Sequence, residues 1–484
     1  MPRKSKFLYK DLADRIQGQI ENGGYRLAQK LPSLRSLCTS TGYSMTTVLQ
    51  AYVELENRGI VESRQRSGYF IKPRIKPLRP LPRVSRREVV PGKVNLDEII
   101  HHLTRDMGDP DVLKLGAVAV DPQFLPVKQL HKQLRAMPKA RIPGMIAGYT
   151  PPEGDDGLRQ QISNLLFALI PDLTIDDIIV TNGCTEALSL SLKAVTNPKD
   201  TVIIESPADP WLRKMVKDMS LYALEVPADP QAGIDPDRMA ELLEKETVAA
   251  CILNPNCHNP LGFIMPDSRK IAILEVLEKY DIPVIENDIC GDLYFGPRRP
   301  NPMKKWDTQS NVLYCSSFSK VLAPGLRIGW VIPGRYQQAV KRLKLNRSLI
   351  SPALNQALTA GYLKEGGYNR HLRRLRQTIK RQYEYCAAAI HRYFPDNIKM
   401  TSPAGGLSIW IELPSGLHGK DVYLAARKQG ISILPGFLCS SFDTFDRFIR
   451  IGYGGCWSET MEVGIRDIGR IVSHMAGYGI DEPE

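Results

Sequence analysis

Long hydrophobic runs are missing from this chain: nowhere do eighteen apolar residues follow one another, so no membrane-spanning helix is expected. Met1-Pro2-Arg3-Lys4-Ser5-Lys6 is basic, but no apolar core follows it, which argues against a secretory signal. Cysteine is sparse. Nine cysteines in 484 residues, odd in number and irregular in spacing, exclude a disulfide framework and point to reduced thiols in the cytoplasm. There is no C-x-x-C pair, so Cys251, Cys257 and His258, though close in sequence, do not make a zinc motif, and no metal is expected.

What is present is length and an uneven charge. At 484 residues, with 43% apolar and 24% charged side chains, the chain is sized for two or three soluble globular domains. The net charge of +12 sits in residues 1–94, which hold 19 Lys and Arg against 7 Asp and Glu; the other 390 residues hold 45 of each sign. A basic segment on a neutral body suits contact with a polyanion.

Inside that segment, residues 9–20 place Leu12, Ile16 and Ile20 at helical spacing, with Asn22-Gly23-Gly24 as a stop. Ser33 is a candidate cap for a second helix carrying Leu34 and Leu37 inward and Arg35 outward. After Thr41-Gly42-Tyr43, Ser44 caps a third helix, 45–58, with Val48, Ala51, Tyr52 and Leu55 apolar. Its first turns present Ser44, Thr46, Thr47 and Gln50, small polar groups suited to phosphates and base edges. Residues 60–64 and 67–71 read as a hairpin with a basic tip. Three helices and a hairpin make a winged helix-turn-helix. The segment resembles the DNA-binding domain of the GntR family: Leu31-Pro32-Ser33-Leu34-Arg35 matches L-P-S-x-R, Ser44-Met45-Thr46-Thr47-Val48 matches S-x-x-T-V, and Ser67-Gly68-Tyr69-Phe70 matches the wing. The resemblance implies a double-stranded DNA operator, with phosphate contacts from Arg35 and Ser44. It further implies base-edge contacts from Thr46, Thr47 and Gln50, and minor-groove approach by Arg64 and Gly68.

Residues 73–95 alternate proline with lysine and arginine, a density that disfavours helix and sheet and predicts a semi-rigid tether. Its cations suit either DNA flanks or solubility. Beyond it, short apolar runs (178–180, 202–204, 249–253, 283–285, 312–314) alternate with helical stretches, which predicts an α/β domain with a mostly parallel sheet. Ligands of such folds gather at the carboxyl ends of the strands.

Polar motifs stand at those ends. Gly183, Cys184 and Thr185 open a helix after the first run, where backbone N–H groups hold phosphate. Ser316-Ser317-Phe318-Ser319-Lys320 ends the last run, and Arg327 follows. An amine held out of water is a nucleophile toward an aldehyde, and hydroxyls with an arginine clamp a phosphate. This string resembles the lysine segment of fold-type I pyridoxal-phosphate enzymes, the aminotransferase superfamily. Asn254-Pro255-Asn256-Cys257-His258-Asn259-Pro260-Leu261-Gly262 resembles N-P-x-x-x-N-P-x-G, Tyr149-Thr150-Pro151-Pro152-Glu153-Gly154 resembles the family's tyrosine segment, and Phe448-Ile449-Arg450-Ile451-Gly452 resembles its small domain. The resemblance implies pyridoxal 5'-phosphate (PLP) with Lys320 as Schiff-base residue. It assigns the phosphate to Gly183, Cys184, Thr185, Ser317, Ser319 and Arg327, the ring hydroxyl to Asn259, and a carboxylate to Arg450. Tyr149 would reach the phosphate across a homodimer interface.

Three positions depart from the family. Asn287 stands where an aspartate bonds the ring nitrogen, Cys290 where a tyrosine bonds the ring oxygen, and Asp209 where an aromatic stacks. Trp211 and Asp288 are candidate substitutes, although strand alternation points Asp288 away. An uncharged Asn287 cannot hold the proton that makes the ring an electron sink.

A winged helix joined to an aminotransferase-like domain resembles the MocR subgroup of GntR regulators. The implied layout is 1–72 DNA-binding, 73–95 linker and 96–484 aminotransferase-like, with a smaller α+β subdomain from about 375. The expected function is transcriptional regulation by a protein that binds PLP and senses PLP or a small amino compound. A working aminotransferase with a DNA-binding appendage and a PLP-free dimerisation or ligand-binding domain are the alternatives.

Overall fold

Helix α1 (Leu8–Glu21) turns Leu12, Ala13 and Ile16 inward, α2 (Leu34–Thr41) turns in Leu37, and α3 (Met45–Asn57) turns in Val48, Ala51, Tyr52 and Leu55. Ser33 Oγ caps α2 by accepting from the Ser36 amide at 3.1 Å. Ser44 Oγ caps α3 through the Thr47 amide at 3.2 Å. Gly42, in the left-handed region at φ 73°, ends α2 and makes the tight turn. Strands β1 (Val61–Arg64) and β2 (Gly68–Ile71) pair antiparallel, and Tyr52 joins α3 to the wing by its edge contact with Tyr69 at 4.9 Å. These elements are the expected winged helix. The computed structural model describes residues 8–21, 24–64, 67–73, 79–82, 84, 89–93 and 99–477. The helix stop at 22–23, the wing tip at 65–66 and most linker cations lie outside the described residues.

The large domain is built on a nine-stranded sheet. Its main path uses β3 (Pro91–Lys93), β4 (Ile179–Thr181), β5 (Thr201–Ser206), β6 (Tyr222–Asp229), β7 (Ala250–Leu253), β8 (Val284–Asn287), β9 (Val312–Ser317) and β10 (Gly329–Ile332). Spatial order is β3-β6-β5-β7-β8-β9-β10-β4, and the run from β6 to β9 is parallel throughout. The central strands are apolar on both faces because helices cover both, which is why they read as continuous runs rather than alternating ones. A four-stranded antiparallel sheet, including β11 (Ser408–Glu412) and β12 (Phe448–Gly452), forms the smaller α+β unit. Among the described residues no helix is long and apolar enough to cross a membrane.

The linker is not the free tether its composition suggests. Val89 is buried in the main core, and Pro91–Lys93 forms an edge strand against β6, with proline at its first position, where a missing N–H costs nothing. Arg79 is 9% exposed and lies against the end of the 26-residue helix Tyr368–Tyr393. Its guanidinium donates to the carbonyls of Pro395 (2.5 Å), Phe394 (3.2 Å) and His391 (3.3 Å), and to His391 Nδ1 (3.0 Å). A cation there satisfies orphan carbonyls and the negative end of the helix dipole.

Arg79→Ala is expected to unmoor the linker. Its removal leaves buried carbonyls unpaired at a cost of about 1–3 kcal/mol. A lower thermal midpoint and faster proteolysis within 73–95 are the readouts.

Candidate functional site

A cavity of about 380 Å³ lies at the carboxyl ends of β5, β7, β8 and β9, closed on its far side by β12 and by the stretch 114–120. Lys320 lies in the turn that follows β9, and its Nζ donates to the Val118 carbonyl. Ser317 Oγ, at the strand end, accepts from the Ser319 amide at 3.3 Å. Ser319 Oγ is buried at the cavity wall without a partner.

Helix α4 (Cys184–Val195) starts at the cavity with no side-chain cap, so its first amides are free for an anion. Gly183 precedes it at φ 84°, and a Cβ there would stand 2.5 Å from Arg327 Nη2. Arg327, itself left-handed at φ 53°, donates to the Asn182 carbonyl at 3.1 Å. Glycine is thus required for both the turn and the close approach of the guanidinium. An uncapped helix start, an adjacent arginine and an orphan hydroxyl form a donor set that fits a phosphate monoester, and Lys320 in the same cavity fits an aldehyde on it.

The ring-side residues follow from alternation along β8. Asn287 points into the cavity, with Cys184 Sγ donating to its Oδ1 at 3.5 Å. Asp288 points the other way, 1% exposed, and receives hydrogen bonds from Arg299 Nη2 and Tyr314 Oη at 2.7 Å each and from Asn256 Nδ2 at 3.2 Å. Asp288 therefore does not stand in for Asn287. Cys290 lines the cavity as a neutral thiol, since burial pushes it up to about 11. Asn259 is held between two groups: its Nδ2 donates to Asp209 Oδ2 at 2.5 Å, and its Oδ1 accepts from Arg450 Nη1 at 2.8 Å. Arg450 also donates to the Gly116 carbonyl at 2.8 Å. Trp211 and Asp209 both reach the cavity wall, from the start of α5 (Pro210–Asp218).

The structure brings together Gly183, Cys184, Thr185, Asn259, Asn287, Cys290, Ser319, Lys320, Arg327 and Arg450, with Ser317 buried directly beneath. It does not bring in Tyr149, which is 82% exposed and outside the wall of its own chain's cavity. On the DNA side, Arg35, Ser44, Thr46 and Gln50 are exposed and Thr47 half-buried. Gly68 is exposed at φ 105°. Arg64 is engaged elsewhere: it packs over Phe70, pairs with Glu62 at 2.8 Å and donates to Tyr385 Oη at 2.7 Å on the large domain.

Some contributors carry no sequence signal. The Val118 and Gly116 carbonyls are backbone groups, and nothing local marks the stretch that supplies them. His371 is another: its ring meets the Val321 carbonyl at 2.6 Å, one residue past Lys320. Glu205 and His258, 3.4 Å apart behind Asn254, could have been suspected from the polar residues that end two buried runs.

Residues 111–468 match the aminotransferase class I and II family, and residues 8–71 match the bacterial regulatory proteins of the gntR family. Two HTH-type transcriptional regulators of Escherichia coli, YjiR and YdcR, are 36% and 35% identical, each over 96% of this chain and 98% of its own. The chain belongs to the gntR-type regulators with an aminotransferase class I and II domain. This is the architecture of the MocR subgroup. The α-aminoadipate aminotransferase LysN of Thermus thermophilus, solved with N-(5'-phosphopyridoxyl)-L-leucine, is 25% identical with a TM-score of 0.72, covering 80% of this chain and 97% of that one. The multiple substrate aminotransferase of Thermococcus profundus shares the fold at 22% identity and a TM-score of 0.73, covering 80% and 97%. The cofactor to which family and donor set point is pyridoxal 5'-phosphate.

His371 gives the lysine turn a pH dependence. Burial holds its imidazole below the ordinary value, against the upward pull of the Val321 carbonyl, and Arg374 adds to the lowering. With a depressed folded value, the unfolded chain binds the proton more readily, so this contribution is complete above about pH 6.5 and is lost as pH falls through the folded value. His371→Gln is expected to flatten the fall in thermal midpoint between about pH 6.5 and 5.

Proposed function

We propose that this regulator binds PLP at Lys320 and uses the cavity beside it to sense PLP together with a small amino compound, as a homodimer. The observation that carries this reading is the split along β8. Most of the residues assigned to the cofactor gather at one cavity, yet Asn287 presents an uncharged amide to it, while the carboxylate of the next residue, Asp288, is turned away under Arg299. When bound, PLP supplies an electron sink conjugated to an amine. Lys320 provides the attachment point, Arg327 and the start of α4 hold the phosphate, Ser319 adds a hydroxyl, and Asn259 orients the ring. Arg450 takes the ligand's carboxylate. Replacing a charged partner of the ring by an amide removes roughly 3–4 kcal/mol of transition-state stabilisation. Binding survives such a change far better than turnover does.

DNA contact is assigned to Arg35, Ser44, Thr46, Thr47 and Gln50, with Gly68 at the wing. Arg64 joins them on release from Tyr385. Tyr149 is assigned to the site of a second copy, a role its exposure on its own chain supports. The alternative of a working aminotransferase is favoured by one observation, that Lys320 and Arg450 share the cavity, and it makes Lys320 the proton carrier as well.

Purified protein is expected to show visible absorbance that is lost in Lys320→Ala; a colourless protein that takes up no added PLP would overturn the sensor reading. Conversion by amino acids at enzyme-like rates, read from the same spectrum, would favour the working enzyme instead. Arg35→Ala is expected to weaken operator binding and lower its salt slope by about one. Operator binding unchanged by that substitution would refute the assigned DNA face.

A further inference from the structure

The cavity wall carries the basic side chains of Lys114, Lys320, Arg327 and Arg450 and, among its acidic ones, the carboxylate of Asp209. Two other carboxylates stand at its wall, Asp106 and Glu205. Asp106 accepts from Ser432 at 2.8 Å and lies 3.3 Å from Arg427 Nε. Glu205, 3% exposed at the wall, accepts from the Asn254 amide through Oε2, which lies 3.4 Å from His258, while its Oε1 is buried without a partner. Asp209 differs from both. Its contacts are neutral donors, the Asn259 amide at 2.5 Å and the Trp211 N–H at 2.9 Å, and among the described residues it has no ion pair.

Capping α5 does not explain that charge. Asn and Ser cap a helix as well as Asp does, so the carboxylate is surplus to the local fold. Nor does it serve as a direct partner for Arg450, because Asn259 stands between them. Arg450 is 5% exposed and lines the cavity with its Nε unpartnered, so the cationic end of the site still awaits an anion. Beside Asp209 the indole of Trp211, 45% exposed, offers a π-face at the same wall. A carboxylate next to an aromatic face is a cation site.

We propose that Asp209 and Trp211 form a subsite for a second, positively charged amine, so that the effector is a diamino carboxylic acid. This deepens the sensor reading and rests on it. One amine of the ligand meets the cofactor at Lys320, its carboxylate takes the free edge of Arg450, and its distal ammonium lies against Asp209. The same carboxylate rejects dicarboxylic amino acids, since like charges brought together in a closed cavity repel.

The test uses the full-length protein and isothermal calorimetry with ornithine, lysine, norleucine and glutamate, each with and without PLP. The visible spectrum reports PLP uptake separately, so loss of the sensor reading and loss of the subsite are seen by different instruments. The wild-type protein is expected to bind ornithine or lysine at least about tenfold more tightly than norleucine, with glutamate weakest. Asp209→Asn and Asp209→Ser both keep a helix cap. They are expected to abolish the preference, read as the ratio of lysine to norleucine affinity within each variant, with a thermal midpoint near that of the wild type. Two variants are needed because an amide at 209 would face the Asn259 amide, whereas serine is too short to do so. Equal affinity of the wild type for lysine and norleucine would overturn the proposal. So would an undiminished preference in both variants.

Discussion

Side-chain alternation along β8 governs how the rest of the site is to be understood. Consecutive residues of a strand face opposite sides of the sheet. Glu286 therefore turns toward the amides of Met303 and Lys304 at 2.7 and 2.9 Å, Asn287 turns into the cavity, and Asp288 turns onto Arg299 and Tyr314. A shift of one residue would put a carboxylate at the cofactor's edge. Register prevents it, because β8 is locked on both sides, Val284 pairing with Cys251 of β7 and with Val312 of β9. The chemistry open to the cavity is thus set by a hydrogen-bonded ladder rather than by any single side chain.

The helix Tyr368–Tyr393 connects this site to the DNA-binding end. At about 1.5 Å per residue its 26 residues span roughly 39 Å. His371 in its first turn holds the carbonyl next to Lys320. Tyr385 further along receives the wing's Arg64, and the carbonyls at its end receive Arg79 of the linker. Glu62 and Arg381, 3.8 Å apart, add a second contact to the wing. Three regions that must communicate in a ligand-responsive regulator therefore touch one rigid rod. Contact alone transmits nothing: the ligand has to favour one position of the rod over another. Release of Arg64 by such a shift would return a cation to the DNA face, where its charge is worth most.

The legibility of these features in the sequence tracks the range of the interactions. Apolar spacing in the winged helix depends on neighbours three and four residues away, and Val48, Ala51, Tyr52 and Leu55 are buried as that spacing requires. Four of the five parallel strands were equally plain, since burial on two faces leaves a continuous apolar run; β6, interrupted by Glu225 and Pro227, was not. Arg79 was not legible. Its partners lie more than 300 residues away, and a proline-cation repeat looks the same whether it docks or floats. The same holds for Arg64, whose local context marks a wing arginine while its partner is Tyr385, 321 residues on. Tyr149 is a subtler case: its motif was clear, but its side chain is exposed and lies outside its own chain's cavity wall.

Under the sensor reading proposed above, a cavity that held its ligand without turning it over would have a logic of its own. Turnover destroys the ligand being measured, so occupancy would reflect flux rather than concentration. The uncharged pair at the ring, Asn287 and a Cys290 thiol kept neutral by burial, withdraws stabilisation from the charged stages of the reaction. The proposed binding interactions would be left almost untouched, because Arg327, the start of α4 and Arg450 belong to different elements from Asn287 and Cys290. Binding energy that an enzyme would reserve for its transition state is then available in the ground state.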